Sequence, residues 1–263
     1  MCKMPVSKTQ IDRLGDRLKG GPHTESDLRL LDDYRRSFGE AYEAVVKTIR
    51  QRGEFPTGRL AKSTLSIVEK LRRESLRLSQ MQDIAGCRVV VGNIVEQERF
   101  VASLITDFPK AYVIDRRDNP SYGYQAVHII AEISGKPIEI QLRTSLQHLW
   151  AEVSEKSSDV LDPTIKYGGG SESWRNFLTG GSKSVTAYEK HEKTIAAALE
   201  VYMDAVEEAA ERFLDEKGKE QSREQLRVFK ENEERKLIDE RNKIADHLTG
   251  AISRLDELKR QKQ

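Results

Sequence analysis

The chain has 263 residues, a formal net charge of +1 and a charged fraction of 33%. This near-neutral balance excludes a strong overall attraction to nucleic acid or to anionic membranes, while the dense charge predicts long solvated helices around a modest core. The two cysteines, Cys2 and Cys87, form neither a disulfide framework nor a CxxC pair, and Cys87 lies in an apolar run typical of a core residue. No signal peptide opens the chain, and no apolar run approaches the roughly 18 residues of a membrane span. We therefore expect a soluble, cytoplasmic protein without a membrane segment.

The sequence predicts four consecutive regions. Residues 1–52 form an N-terminal helical segment, interrupted by "GGPHTESD", in which Thr24 or Ser26 caps the second helix. Residues 53–160 form a core that holds every predicted strand. Residues 161–183 predict a Gly-rich flexible loop. Residues 184–263 predict a charged helical C-terminal extension, either a solvated structural tail or a partner-binding arm.

Helices and strands alternate in the central region. Helical spacing of apolar residues predicts helices over "KSTLSIVEKLRRESL", "EQERFVASLITDF" and "SLQHLWAEVSEK". Short apolar runs predict a buried strand at "GCRVVVGN" and a further strand at "AYVIDRRD". Two alternating runs, "YQAVHIIAEI" and "PIEIQLRT", predict a hairpin across "SGK". This order indicates an α/β fold.

The hairpin combines polar side chains with an apolar face. Because successive side chains of a strand alternate between faces, "IEIQLR" places Glu139, Gln141 and Arg143 on one side. On the preceding strand, Tyr124 and His128 share a face. If the two polar sets coincide, the sheet presents a carboxylate, an amide, a guanidinium, an imidazole and an aromatic ring together. The alternative is an ordinary amphipathic hairpin with a solvated outer face.

A basic segment lies upstream of the hairpin. Arg59 and Lys62 stand where a loop enters a helix, a place where free backbone N–H groups favour phosphate. Lys70 follows Ser66 by four residues, so both lie on one helical face. Such a set suits a triphosphate, although a solvated basic helix is the alternative. The chain has no Walker or GxGxxG motif, so a P-loop or Rossmann site is not supported.

Asp83 and Arg88 flank the start of the buried strand in "QDIAGCRVVV". Magnesium commonly binds one or two carboxylates together with substrate phosphates, so Asp83 and Glu139 are a candidate pair of ligands. An arginine within an apolar run requires a partner or a stacked ligand. The alternatives are a capping role for Asp83 and a carboxylate partner for Arg88.

Four segments in this order resemble the synthetase domain of the RelA/SpoT family of alarmone synthetases, over residues 55–156: "GRLAKSTLSIVEKL", "MQDIAGCRVVV", "GYQAVHII" and "IEIQLRTSLQHLWAE". The resemblance implies a mixed, mostly antiparallel, five-stranded nucleotidyltransferase-like sheet flanked by helices, followed by the helical C-terminal extension. It also implies Mg²⁺-dependent transfer of the β,γ-pyrophosphate of ATP to the 3′-hydroxyl of GDP or GTP. The products would be AMP and (p)ppGpp.

The resemblance also implies roles for individual residues. Asp83 and Glu139 would bind Mg²⁺, Glu139 would help to deprotonate the attacking hydroxyl, and Gln141 would complete the catalytic set. The residues expected to bind ATP are Arg59, Lys62, Ser66, Lys70 and Arg88. Those expected to bind the acceptor are Tyr124, which would stack on the base, His128 and Arg143.

Two departures from the family pattern leave other functions open. Arg59 lies three residues before Lys62 instead of two, and the family's lysine before the Gly-Tyr pair is absent, with Arg116 and Arg117 further upstream. The alternative enzyme is a toxic small alarmone synthetase that modifies adenine nucleotides or the 3′ end of tRNA. Its C-terminal helices would bind an antitoxin, whereas a synthetase of the first kind would form a homo-oligomer. A non-catalytic nucleotide sensor is the alternative from another class.

Overall fold

The computed structural model describes residues 6–117, 120 and 122–262, so Cys2 lies outside the described residues. Its helices are α1 (Lys8–Gly20), α2 (Glu25–Arg36), α3 (Gly39–Gln51), α4 (Thr64–Arg73), α5 (Ile94–Asp107), α6 (Ser145–Val160), α7 (Glu172–Phe213) and α8 (Glu216–Gln261). Its strands are β1 (Thr57–Arg59), β2 (Ala85–Val91), β3 (Tyr112–Asp115), β4 (Val127–Ile133) and β5 (Lys136–Thr144). Short 3₁₀ turns occur at Leu78–Gln80 and Ile165–Tyr167.

The strands form one sheet in the order β1-β2-β5-β4-β3. The β1–β2, β3–β4 and β4–β5 pairs are antiparallel. The central pair, β2 and β5, is parallel, since Gly86 lies against Glu139 near the start of both strands and Gly92 accepts a hydrogen bond from Ser145 after both end. The sheet is therefore mixed and mostly antiparallel, which confirms the predicted α/β fold.

The β4–β5 hairpin turns at Ser134 and Gly135, whose φ angles are 51° and 72°. Two successive positive φ values are typical of a tight hairpin turn, and glycine adopts this conformation without steric strain. The predicted hairpin across "SGK" is confirmed. Its first strand begins at Val127, however, so Tyr124 precedes the strand on which it was predicted to lie.

The chain forms two compact units that interleave along the sequence. The first consists of the residues up to Val89, Phe100–Asp115 and Val127–Leu142, and the second of Val90–Arg99, Arg116–Ala126 and the residues from Arg143 onwards. Each unit is assembled from separate stretches of the chain, whereas the sequence predicts four consecutive regions. That division into domains stays a prediction.

In the first unit, α1 packs against α2, α4 and the turn at Leu78–Gln80, and α3 packs against β4. Thr24 caps α2 by accepting a hydrogen bond from the backbone N–H of Asp27, as one of the two predicted caps. The N-terminal segment contains three helices and not two, because the chain also breaks at Ser37 and Phe38.

In the second unit, an apolar core is shared by α6, α7 and α8. It includes Trp150, Leu178, Tyr188 and Leu255.

The prediction of a flexible loop through residue 183 is wrong from Glu172 onwards, where α7 begins. The glycines that suggested flexibility lie inside this helix. A Cβ atom at Gly181 would come within 2.2 Å of the ring of Trp150, so this position requires glycine for close packing and not for mobility. The helical character predicted for residues 184–263 agrees with α7 and α8. Their predicted binding to a homo-oligomer or an antitoxin stays a prediction.

Within the described ranges 6–117, 120 and 122–262, no helix is both long enough and apolar enough to cross a membrane.

Candidate active site

One face of the sheet in the first unit carries most of the predicted polar side chains. In the antiparallel register, Arg59 lies opposite Gly86, and His128 lies opposite Gln141. Paired residues share a face of the sheet, and Gly86 lies directly against Glu139. The polar sets of β4 and β5 therefore coincide, as the alternation of their sequences predicted.

A pocket of about 360 Å³ opens on this face. Its lining includes the predicted residues Arg59, Asp83, Arg88, Glu139 and Gln141, together with Thr57, Gly58, Gly86 and Cys87. The sequence analysis missed the last four as site residues. In the sequence, these four residues are marked only by their position next to Arg59 or Arg88. The pairing of β1 with β2, which brings Gly58 opposite Cys87, places them together in the pocket.

Asp83 accepts hydrogen bonds from two lysines. The Nζ atom of Lys62 lies 2.5 Å from Oδ2, and that of Lys70 lies 2.9 Å from Oδ1. Burial by itself raises the pKa of Asp83, but the charge of Lys70 and the hydrogen bond and charge of Lys62 outweigh it, so the pKa lies below its ordinary value of 3.8. Asp83 is therefore ionised at neutral pH.

Glu139 is held by its neighbours on β4 and β5. His128 Nδ1 lies 2.8 Å from Oε1, and Gln141 donates a hydrogen bond to Oε2 over 3.0 Å. Burial raises the pKa of Glu139, as does the charge of Asp83 to a smaller extent, but His128 and Gln141 lower the pKa further, to below its ordinary value of 4.5. The effect of Asp83 indicates that the two carboxylates interact across the pocket.

The remaining predicted ATP-binding residues occupy different places. Arg59 is exposed on edge strand β1, and Arg88 is half-buried on β2. Ser66 lies in the first turn of α4, where its backbone N–H donates to the capping hydroxyl of Ser63 and its own hydroxyl accepts from that group. Lys62 and Lys70 contact Asp83, which lines the pocket, whereas Ser66 does not line it.

Tyr124 and Arg143 form a pair in the second unit. The guanidinium of Arg143 donates to the Tyr124 hydroxyl over 3.0 Å, and its carbon lies 4.8 Å from the centre of the ring. Arg143 is 2% exposed, so it does not lie on the solvated outer face that the alternative interpretation of the hairpin implied. The aromatic ring satisfies part of the demand that a buried guanidinium makes for partners.

The donor set suits magnesium. In the described part of the chain, no group of three or more His, Cys, Asp or Glu side chains is arranged to hold a metal ion. Asp83 and Glu139 nevertheless line one pocket, and both are ionised. Two carboxylates with lysines nearby fit a cation that takes its remaining oxygen ligands from phosphates and water.

Comparison with known proteins places these residues in a family. Residues 58–158 match the model described as the region found in RelA / SpoT proteins. An uncharacterized protein of Mycobacterium tuberculosis is 31% identical over 171 residues, which are 62% of this chain and 63% of that protein. A probable chloroplastic GTP diphosphokinase of Arabidopsis thaliana is 34% identical over 98 residues, 35% of this chain and 13% of that protein.

The small alarmone synthetase 1 of Bacillus subtilis has a crystal structure that matches with a TM-score of 0.49 and 24% identity, over 67% of this chain and 99% of that chain. The region matched by the family model carries every predicted site residue, including both carboxylates, the three arginines and the two lysines on Asp83. The chain therefore contains, over residues 58–158, the region found in RelA / SpoT proteins.

Proposed function

We propose that the protein transfers the β,γ-pyrophosphate of ATP to the 3′-hydroxyl of GDP or GTP, releasing AMP and forming (p)ppGpp. The observation that carries the proposal is the pocket of the first unit, in which Asp83 and Glu139 lie with Arg59 and Arg88 inside the RelA/SpoT region. The GTP diphosphokinase named among the relatives supports the same class of reaction.

The residues of the pocket suit pyrophosphoryl transfer. The 3′-hydroxyl oxygen attacks the β-phosphorus of ATP, the bond from that phosphorus to the oxygen bridging to the α-phosphate breaks, and that oxygen leaves with AMP. The hydroxyl proton passes to the carboxylate of Glu139, which is ionised and oriented by two hydrogen bonds. Such a reaction depends mainly on alignment and on neutralising phosphate charge.

We propose that cationic side chains bind the donor. Lys62 and Lys70 neutralise phosphate oxygens, while Arg59 and Arg88, which line the pocket, hold the adenine and the phosphates. Asp83 and Glu139 would hold Mg²⁺, which supplies charge neutralisation at the phosphates when it is bound. Tyr124, His128 and Arg143 are proposed to bind the acceptor.

The acceptor distinguishes an alarmone synthetase from a toxic small alarmone synthetase. The purified protein should be incubated with ATP labelled in its β- and γ-phosphates and with GDP, GTP, ADP, ATP or deacylated tRNA as separate acceptors. Label on GDP or GTP alone supports the alarmone synthetase. Label on an adenine nucleotide or on tRNA supports the toxic small alarmone synthetase, and absence of transfer to every acceptor contradicts pyrophosphoryl transfer.

Variants of the carboxylates test whether this pocket performs the reaction. Asp83→Asn and Glu139→Gln should each lower AMP release by at least about 100-fold, since each removes a charge or a base at the reacting phosphates. The control is Glu132→Gln, which changes an exposed carboxylate on the same hairpin and should leave the rate unchanged. Near-normal turnover in both pocket variants would assign the chemistry to another site.

A further inference from the structure

Lys62 and Lys70 occupy both oxygens of Asp83, at 2.5 Å and 2.9 Å. The three side chains are only 11%, 22% and 16% exposed, respectively. The pairs are thus partly shielded from water, where opposite charges interact more strongly than they do on an open surface. The lysines are proposed to bind phosphate and Asp83 is proposed to bind the cation, yet here they bind each other.

The second carboxylate is engaged in the same way. Both oxygens of Glu139 have protein partners, His128 and Gln141. The structure therefore gives all four carboxylate oxygens a donor from the protein itself. A cation that binds Asp83 would lie close to two ammonium groups whose positive charges repel it, so binding is favoured when those groups move to other anions.

We infer that Lys62 and Lys70 block the cation site of the free protein by pairing with Asp83, and that they exchange its carboxylate for phosphate oxygens when a polyphosphate and a divalent cation enter together. The inference rests on the proposed function only in identifying the polyphosphate as that of a nucleoside triphosphate. It gives the two lysines a second role, as blocking groups on the cation site.

The charges explain why neither ligand binds well alone. The two carboxylates and the two lysines together are neutral, and Arg59 and Arg88 line the same pocket, so a divalent cation by itself would add to an excess of positive charge. A polyphosphate by itself would draw the lysines away from Asp83 and leave its carboxylate near the phosphates. Both ligands together satisfy all four side chains. The coupling is reciprocal, so each ligand strengthens the binding of the other by the same factor.

Manganese is a suitable probe, because it takes the oxygen ligands of magnesium and the free ion gives an electron paramagnetic resonance signal. The full chain should be titrated with Mn²⁺ alone. Lys62→Met and Lys70→Met should each bind Mn²⁺ about tenfold more tightly than the wild type, since each unblocks one oxygen of Asp83 and removes a positive charge. The control is Lys47→Met, an exposed lysine on α3, which should bind as the wild type does.

A double variant identifies the ligand. Lys70→Met combined with Asp83→Asn should lose the gain in affinity, which shows that the added Mn²⁺ binds at Asp83. A second measurement uses tripolyphosphate, which should bind the wild type at least about tenfold more tightly with Mg²⁺ present than without it. The circular dichroism of each variant checks that the fold is retained.

The inference is overturned if the wild type binds free Mn²⁺ as tightly as both lysine variants do, or if Mg²⁺ leaves tripolyphosphate binding unchanged. None of these measurements uses turnover. Failure to transfer pyrophosphate would therefore contradict the proposed function alone, whereas loss of the coupling in an active protein would contradict this inference alone.

Discussion

The Nδ1 atom of His128 lies 2.8 Å from Oε1 of Glu139, across the β4–β5 pair. The two side chains are 9% and 16% exposed, and Gln141 holds the other oxygen of the carboxylate. The resemblance to the family implied that His128 binds the acceptor. In this structure its ring contacts Glu139, so we expect His128 to act on the proposed reaction also by orienting that carboxylate.

Replacing His128 should therefore impair turnover more than it impairs binding of ATP. We expect His128→Leu to lower kcat by about 100-fold, because a carboxylate displaced by about 1 Å no longer aligns with the hydroxyl proton. The change also removes the main contribution that lowers the pKa of Glu139, so the acidic limb of the kcat profile should move to higher pH.

His128→Asn is the matched variant, since its amide N–H group still donates to Glu139. It should retain more activity than His128→Leu and shift the acidic limb less. Equal loss in the two variants, with no shift in the pH profile, would contradict the orienting role. Changes confined to KM for the acceptor would instead support direct binding of the acceptor by His128.

Cys87 should be unreactive in the folded protein, although it lines the pocket. Burial and, to a smaller extent, the charge of Glu139 raise the pKa of its thiol to about 12. At pH 8 about one thiol in 10,000 is then ionised, and the thiolate is the reactive form. In a Cys2→Ser chain, iodoacetamide should label Cys87 rapidly only after denaturation. Labelling of the native protein at the rate of the unfolded chain would contradict this prediction.

Alternation along the strands was sufficient to predict the polar face of the hairpin. Glu139 and Gln141 are separated by one residue, and the turn at Ser134 and Gly135 fixes which side chains of β4 lie opposite them. The register follows from local sequence because a shift of one residue would turn the buried isoleucines of β5 towards solvent. The face was therefore predictable, as was the sheet that the RelA/SpoT resemblance implied.

The contacts of Asp83 and the path of α7 could not be predicted in this way. Asp83 lies 21 residues beyond Lys62, so only the tertiary fold decides that the two side chains meet. The glycines of α7 have the composition of a loop, and helix propensity alone disfavours them in a helix. Packing against Trp150 overrides that local preference. Both features depend on residues distant in sequence, which a local pattern does not contain.

Glu189 in the second unit should make stability depend on pH. Its side chain is buried, with hydrogen bonds from Thr144 and Gln147. Burial raises the pKa of this carboxyl above its ordinary value of 4.5, with a smaller contribution from Glu192, and the two hydrogen bonds only partly oppose the shift. The folded state thus binds a proton more tightly than the unfolded state does, so stability falls as pH rises from 4.5 through the folded pKa.

The test compares Glu189→Gln with the wild type at pH 5 and pH 8 by urea denaturation. The variant has no carboxyl at this position and does not lose this stability as pH rises. The difference in free energy of unfolding, variant minus wild type, should therefore be more positive at pH 8 than at pH 5. Glu207→Gln, an exposed position on the same helix, provides the control and should show no such change. A difference between Glu189→Gln and the wild type that is identical at both pH values would contradict the raised pKa.

The adjacent glycines of α7 should respond in opposite directions to substitution by alanine. No atom lies within 4 Å of the position that a Cβ atom would take at Gly180, whereas at Gly181 the Cη2 and Cζ3 atoms of Trp150 lie at 2.2 Å and 2.5 Å from that position. The indole cannot easily withdraw, because it is 2% exposed and its Nε1 donates to the carbonyl of Gly123 over 2.9 Å.

Gly180→Ala should stabilise the protein by up to about 1 kcal/mol, the difference in helix propensity between the two residues. Gly181→Ala gains the same propensity but forces the tryptophan out of its packing, which costs about 1–3 kcal/mol or more. The midpoint of urea denaturation should therefore rise for the first variant and fall for the second, with unchanged m values. A rise in both would mean that α7 tolerates a side chain at Gly181, and the close packing against Trp150 would then not be the reason for glycine there.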